Sequence, residues 1–377
     1  MREDGTEIPQ ETVFKAYRMY KNVEAALHVD VRNSPQKSGK KCLPLTDYVS
    51  GFEAERAQLK TGDRDLKRDI ELIHNAILNY IPCHEGDDID KVVWEYGIET
   101  WIIPEGGELH IPGGFQQVLD NLIRKIPQTD VYLNTEVTKI TYRARSVRVD
   151  TRDGRVFPAD HVIVTCSIGF LRRHHETLFH PALPSDKVQV LKTMNLGRVN
   201  KIFLEFDEPI TSPTYRNIVF AWDNTDIGPD KKMWYKRIFG FDQIVTKDRT
   251  VVGWIAGDAA EYMETLTNQE IADTCVKIIK KFLKRDKDTL PRLKNILVSR
   301  WCSEPFILGT YAYQTSQLSP GQHASLARPL SGRDGRPLVL FAGEALANGC
   351  THGARDTGLR AASALTELYT KALSSKL

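Results

Sequence analysis

At 377 residues the chain is too long for one small domain and fits about two. With 41% hydrophobic and 27% charged residues it can bury a sizeable core, and a net charge of +2 leaves no whole-molecule field drawing it to nucleic acid or a membrane surface. No apolar run approaches the ~18 residues of a membrane helix, and the six scattered cysteines form neither CxxC nor a zinc spacing, which argues against a disulfide scaffold or a Cys-based metal site.

Two helical patterns open the chain. Val13, Tyr17, Tyr20, Val23, Ala26 and Leu27 recur at helical spacing over 12–29, and Leu66, Ile70, Ile73, Ile77, Leu78 and Ile81 over 65–81. Between them the polar stretch Asn33–Lys41, with Pro35 and two serines, reads as a loop. A helix is predicted over Phe115–Ile126, after which the period becomes that of strands. Val131–Leu133, Val137–Tyr142, Val147–Thr151 and Val156–Phe157 alternate, with Asp153-Gly154 as a hairpin turn, and His161–Cys166 reads as a strand buried on both faces. Over 171–330, strands at Lys201–Phe206, Val251–Ile255 and Ile296–Trp301 mix with helices at 259–266 and 269–284. Pro337–Glu344 reads as a strand then a turn, and His352–Leu373 as a long helix opened by Gly349, Thr351 and Gly353.

The chemistry starts from that last turn. A strand ending in Gly343-Glu344, followed by a glycine-lined helix start at Thr351-His352-Gly353, suits an electron-rich ligand: the carboxylate accepts from sugar hydroxyls, and the free helix N–H groups support negative charge. A capped helix with a tight turn and no ligand fits the same pattern. Lys201 lies in an apolar strand, where it either faces solvent at an edge or, if buried, needs a partner. Trp301 and Tyr311 read as core aromatics or as faces for an amine. The acidic run Glu85–Asp90 is either a solvated loop or an attractor for a polycation, and His74, His84, His110, His174 and His175 lack metal spacing. Ser375-Lys376-Leu377 matches the S-K-L address read by the peroxisomal import receptor.

Five ordered segments carry a resemblance. Phe341-Ala-Gly-Glu-Ala345 with Thr351-His-Gly-Ala354 resembles the C-terminal FAD motif of the flavin amine oxidases, GEAT…THGA. Asn134–Ile140 resembles the strand whose backbone, at the position of Val137, meets the adenine. Ala159–Leu171 is similar to ADHVIVTVPLGVL, Asn200–Pro209 to NKIFLEFEEP, and Trp301-x3-Pro305-x3-Gly309-Thr-Tyr-Ala-Tyr313 to WxxxPxxxGSYSY. The likeness runs to about residue 370 and is nearest to the polyamine oxidases, the S-K-L end favouring the peroxisomal acetylpolyamine type over the spermine type.

The resemblance implies an α/β + β fold, an incomplete FAD-binding Rossmann-like domain interleaved with a mixed-sheet substrate-binding domain. The expected division is 1–103 substrate-binding, 104–170 FAD-binding, 171–330 substrate-binding and 331–377 FAD-binding. It implies FAD as cofactor, held by Val137, Gly343, Glu344, Thr351, His352 and Gly353, with Lys201 holding a water against the flavin and Trp301 and Tyr311 around the substrate. The implied reaction takes a hydride from the carbon beside a secondary amine of an (acetyl)polyamine, and O2 accepts the electrons to give H2O2. Two departures stand out. No G-x-G-x-x-G occurs, so the chain is expected to be truncated at its start and to bind FAD weakly or not at all by itself. The loop between Glu344 and Thr351 lacks the family's Tyr. These departures leave a catalytically inactive scaffold as the alternative; a histone-lysine demethylase relative is a third reading, which the S-K-L end argues against.

Overall fold

The computed structural model describes residues 1–33, 42–59, 64–95, 111–143, 145–211, 216–284, 289–313, 322–347 and 350–374. The chain divides into two compact units, each assembled from separated segments. One contains Met1–Ile102, Gly197–Glu304 and Gln314–Ser316; the other contains Ile103–Leu196, Pro305–Tyr313 and Gln317–Leu377.

The first unit is built on a five-stranded antiparallel sheet in the order Asn217–Val219, Gly240–Ile244, Lys247–Ala256, Val199–Phe206, Leu293–Val298. Alternation along Val199–Phe206 sends Ile202, Leu204 and Phe206 to one face, where Phe220, Phe241, Ile279 and Phe282 enclose them. Lys201, Phe203 and Glu205 take the other face and are less buried. Helix Asn268–Leu283 starts from a capping box. The Thr267 hydroxyl accepts from the Glu270 N–H while the Glu270 carboxylate accepts from the Thr267 N–H, and the helix ends at Lys284 with φ +47°. Helices Gln10–Asn33, Leu45–Ala57 and Arg64–Glu85 gather a smaller core around Ala16, Tyr20, Phe52 and Ile70.

The second unit pairs a meander, Val137–Arg143 with Ser146–Thr151 with Val156–Ala159, and a small sheet in which Pro337–Phe341 runs parallel to Val162–Val164. Val164, Leu171, Leu191, Met194, Val339 and Phe341 share its core. Helix Thr351–Ser374 seats Ala361 against Leu340 of the central strand and Ala342 just after it.

Most expected elements stand within a few residues of their places, and the differences have physical causes. Residues 171–196 group with the second unit and not with 197–304, because Leu171, Leu178, Val190 and Leu191 pack into its core; so do 305–313 and 322–330, where Leu326 and Leu330 join the same cluster. Val131–Leu133 is no strand. A 3-10 turn at Gln128–Asp130 and a positive φ at Asn134 break the extension, and Leu133 is 79% exposed with nothing to alternate against. The strand expected at His161–Cys166 shortens to Val162–Val164, and Ile163 is 36% exposed: among the described residues it pairs with one neighbouring strand and stands at the edge of its sheet. The strand expected to reach Trp301 leaves the ladder after Val298. Residues 34–41 of the expected loop, His110 and the Ser375-Lys376-Leu377 end lie outside the described residues. No helix among the described residues is long and apolar enough to cross a membrane.

Candidate functional site

In the first unit, Lys201 is paired across the sheet with Trp254, so both side chains share the less buried face. The ammonium lies 4.2 Å from the centre of the Trp254 indole, and among the described residues no carboxylate reaches it. Burial therefore holds the Lys201 amine below its ordinary value of 10.5, with no counter-charge to restore it.

Behind this face runs a polar chain. The fully buried Asn200 accepts through Oδ1 from the Ser299 hydroxyl at 3.0 Å and the Trp301 N–H at 3.2 Å, and donates through Nδ2 to Glu264 at 2.7 Å. Glu264 also accepts from the Cys302 and Ser303 N–H groups at 2.9 and 2.8 Å, and the Ser299 hydroxyl accepts from the Lys201 N–H at 2.8 Å. The Trp301 side chain is 41% exposed.

In the second unit, Gly343 sits at φ +150° after the central strand, a conformation that L side chains rarely adopt. Its N–H donates to the Thr357 hydroxyl at 3.0 Å, which ties the turn to the first turns of the long helix. At Gly353 a Cβ would lie 2.3 Å from the Ala347 carbonyl oxygen, so glycine is what lets the helix start close onto the turn. Burial raises the Glu344 carboxyl above its ordinary value, and the Ala312 N–H, 3.1 Å away, opposes the rise. That bond also brings the segment of Tyr311 to the same turn. Thr351 and His352 are exposed at the helix start, with His352 Nε2 3.1 Å from Cys350 Sγ. Val137 opens the meander strand and packs against the unit's core.

Residues 87–366 match the family of flavin containing amine oxidoreductases. The chain belongs to this family. It is 31% identical over 333 residues to the peroxisomal N(1)-acetyl-spermine/spermidine oxidase of Homo sapiens, covering 82% of this chain and 65% of that protein. It is 31% identical over 301 residues to the probable polyamine oxidase 5 of Arabidopsis thaliana, covering 70% of this chain and 56% of that protein. The chain therefore spans less than two thirds of the length of these relatives. The solved cyclohexylamine oxidase of Brevibacterium oxydans is alike in fold, with a TM-score of 0.63 at 16% identity over 96% of this chain and 75% of that structure. This family membership lends the inactive-scaffold reading no support.

The cofactor of a flavin amine oxidoreductase is FAD, and the residues here fit the ring end of such a group. A Cβ at Gly343 or Gly358 would meet nothing within 4 Å, which leaves open space beside a half-buried carboxylate and an accessible helix start. The pyrophosphate end calls for a glycine-rich helix start of a kind that the 377-residue sequence does not contain.

The structure gathers Gly343, Glu344 and Gly353 around one turn, with Thr351 and His352 at the same helix start. Lys201 and Trp301 are held together through Asn200 in the other unit. Two carboxylates of the acidic run are held by the fold instead of standing in a solvated loop. Asp87 is 4% exposed, and Asp87 and Asp88 both pair with Arg198 and Lys91. Sequence reasoning missed Trp254, Asn200, Ser299, Glu264 and Thr357. Asn200 alone gave a signal, since the alternation that makes Lys201 face outward turns its neighbour's amide into the core, where it must find partners.

Proposed function

We propose that this chain acts as a polyamine oxidase, converting a secondary amine of an acetylated spermine or spermidine, with O2 and H2O, into an aldehyde, a shorter amine and H2O2. The observation that carries the reading is Lys201: a half-buried amine on an indole face, met by no carboxylate among the described residues, on a strand inside the segment that matches the family. The polyamine substrate and the peroxisomal location follow the acetyl-spermine/spermidine oxidase relatives and the Ser375-Lys376-Leu377 tail, which the import receptor would read.

Bound FAD supplies a two-electron acceptor for the hydride leaving the amine's α-carbon. The chain's own residues do the positioning. Gly343, Glu344, Thr351, His352 and Gly353 would hold the ring end, Glu344 accepting from a hydroxyl and the helix start facing negative charge. Val137 is assigned the adenine end. Lys201, kept less basic by burial, would hold a water by its amine, and the exposed face of Trp301 would align an alkylamine, with Tyr311 as a second aromatic wall.

The test is peroxide release in excess FAD, comparing N1-acetylspermine with spermine. The wild-type chain should turn over the acetylated substrate faster, and Lys201→Met should reduce turnover by about 10²–10⁴-fold while the fold, read by circular dichroism, is kept. A Lys201→Met protein that works at the wild-type rate, or a wild type that is silent at every FAD concentration, would sink the proposal.

A further inference from the structure

We infer that Asn200, Ser299 and Glu264 are positioning residues: from the core side of the sheet they fix where Lys201 and Trp301 stand relative to one another. The inference rests on the reading of Lys201 and Trp301 given above. The ladder between Val199–Phe206 and Leu293–Val298 ends at the pair Ile202 and Val298. One further backbone bond follows, from the Ser299 N–H to the Lys201 carbonyl at 3.0 Å. From there the chain turns away, and among the described residues no strand pairing holds Trp301.

Side chains take over at that point. The Trp301 N–H is held by Asn200 Oδ1, and the next two N–H groups by the two oxygens of Glu264, which follows helix Gly257–Met263. Asn200 donates to Glu264, so both anchors are tied to each other, and Ser299 links the Lys201 N–H to the same amide. Asn200 is fully buried and points to the core face, opposite to Lys201. Burying an amide that bonds a carboxylate adds little net stability, and apolar residues of similar volume would serve a core at least as well. What the polar chain adds is geometry, since it sets the backbone from which both side chains leave.

The experiment reads positions rather than turnover. Competitive acetylation with mass spectrometry gives the pH midpoint of Lys201, and hydroxyl-radical footprinting gives the accessibility of Trp301, in the 377-residue chain and in N200A, S299A and N200D. In N200A, water entering the loosened turn should raise the Lys201 midpoint by about half a pH unit or more and speed Trp301 labelling about twofold. S299A, which keeps the Trp301 anchor, should shift Lys201 and leave Trp301 alone. N200D should label like N200A at pH 8 and like wild type near pH 5, where a protonated carboxyl offers a donor and an acceptor again. Wild-type values in a folded N200A would overturn the inference; should N200A not fold, a wild-type Lys201 midpoint in S299A would do so. The labelling shifts are independent of peroxide release. If Lys201→Met oxidises amines normally while the shifts appear, the proposed function fails and the clamp stands.

Discussion

Arg198 and Lys201 stand three residues apart on the same run of chain, both are cations taken largely out of water, and their surroundings treat them in opposite ways. Arg198 is met by Asp87, Asp88, Asp258 and Glu261. Burial would lower its value, but the hydrogen bond to Asp87 and the nearby carboxylates hold it well above the ordinary guanidinium range. Lys201 is met by an indole face and, among the described residues, by no acid, so burial lowers its value. Desolvation is common to both sites, so the partner set decides the outcome. The first arrangement locks a charge in place and ties helix Arg64–Glu85 and its following turn to the sheet; the second leaves an amine free for another molecule.

Removing the lock gives the largest effect on stability. Arg198→Ala leaves Asp87, 4% exposed, without its main counter-charge, and should cost about 3–5 kcal/mol in a urea titration. Adding Asp87→Ala should recover a substantial part of that loss, because the orphaned charge is then gone. If the single variant loses under about 1 kcal/mol, the cluster behaves as an exposed pair and the contrast with Lys201 fails.

A third buried base sharpens the comparison from the other side. His74 stacks on Phe52, its Nδ1 meets the Tyr20 hydroxyl, and burial, with a smaller contribution from Arg56, lowers its value from 6.5 to about 4. The folded state therefore releases this proton more readily than the unfolded chain. Stability from the neutral ring is fully present above pH 6.5 and is lost as the pH falls from there towards 4. The full loss is on the order of 3 kcal/mol, and a His74→Leu protein should show a flatter melting-temperature profile across that window. An unchanged slope in the variant would place the acid sensitivity elsewhere.

How far these sites were legible in the sequence follows from what pattern encodes. The period-2 alternation around Lys201 and the helical spacing around Ile70 placed their strand and helix, because burial on one face is a local property of the chain. The Gly343-Glu344 turn and the helix start were legible from glycine spacing, and the close approach at Gly353 is its physical reason. The partners were not legible. Asp87 finds Arg198 across 111 residues and Asn200 finds Glu264 across 64, and nothing in either local pattern names the other end. The acidic run was misread for this cause: its composition suggests solvation, and only the fold supplies the arginine. The strand at Val162–Val164 was misread because an apolar run looks alike at an edge and in the middle of a sheet.

The smallest expected effect is the one that most directly opposes the two cations. A buried amine without a counter-charge is a burden on folding at neutral pH, offset in part by the attraction of the Trp254 indole at 4.2 Å. Lys201→Met keeps the length of the side chain and removes the charge, so it should stabilise the chain by about 1 kcal/mol, or roughly 1–2 °C in melting temperature for a chain of this length, even as it slows the proposed turnover. The pH dependence tests the cause. With its folded value held below 10.5, Lys201 penalises folding fully when both states are protonated, and the penalty fades as the pH rises through the folded value towards the unfolded one. The advantage of Lys201→Met should therefore be largest near neutrality and shrink above it. A variant less stable than wild type at pH 7 would mean that Lys201, like Arg198, is held by interactions that satisfy its charge.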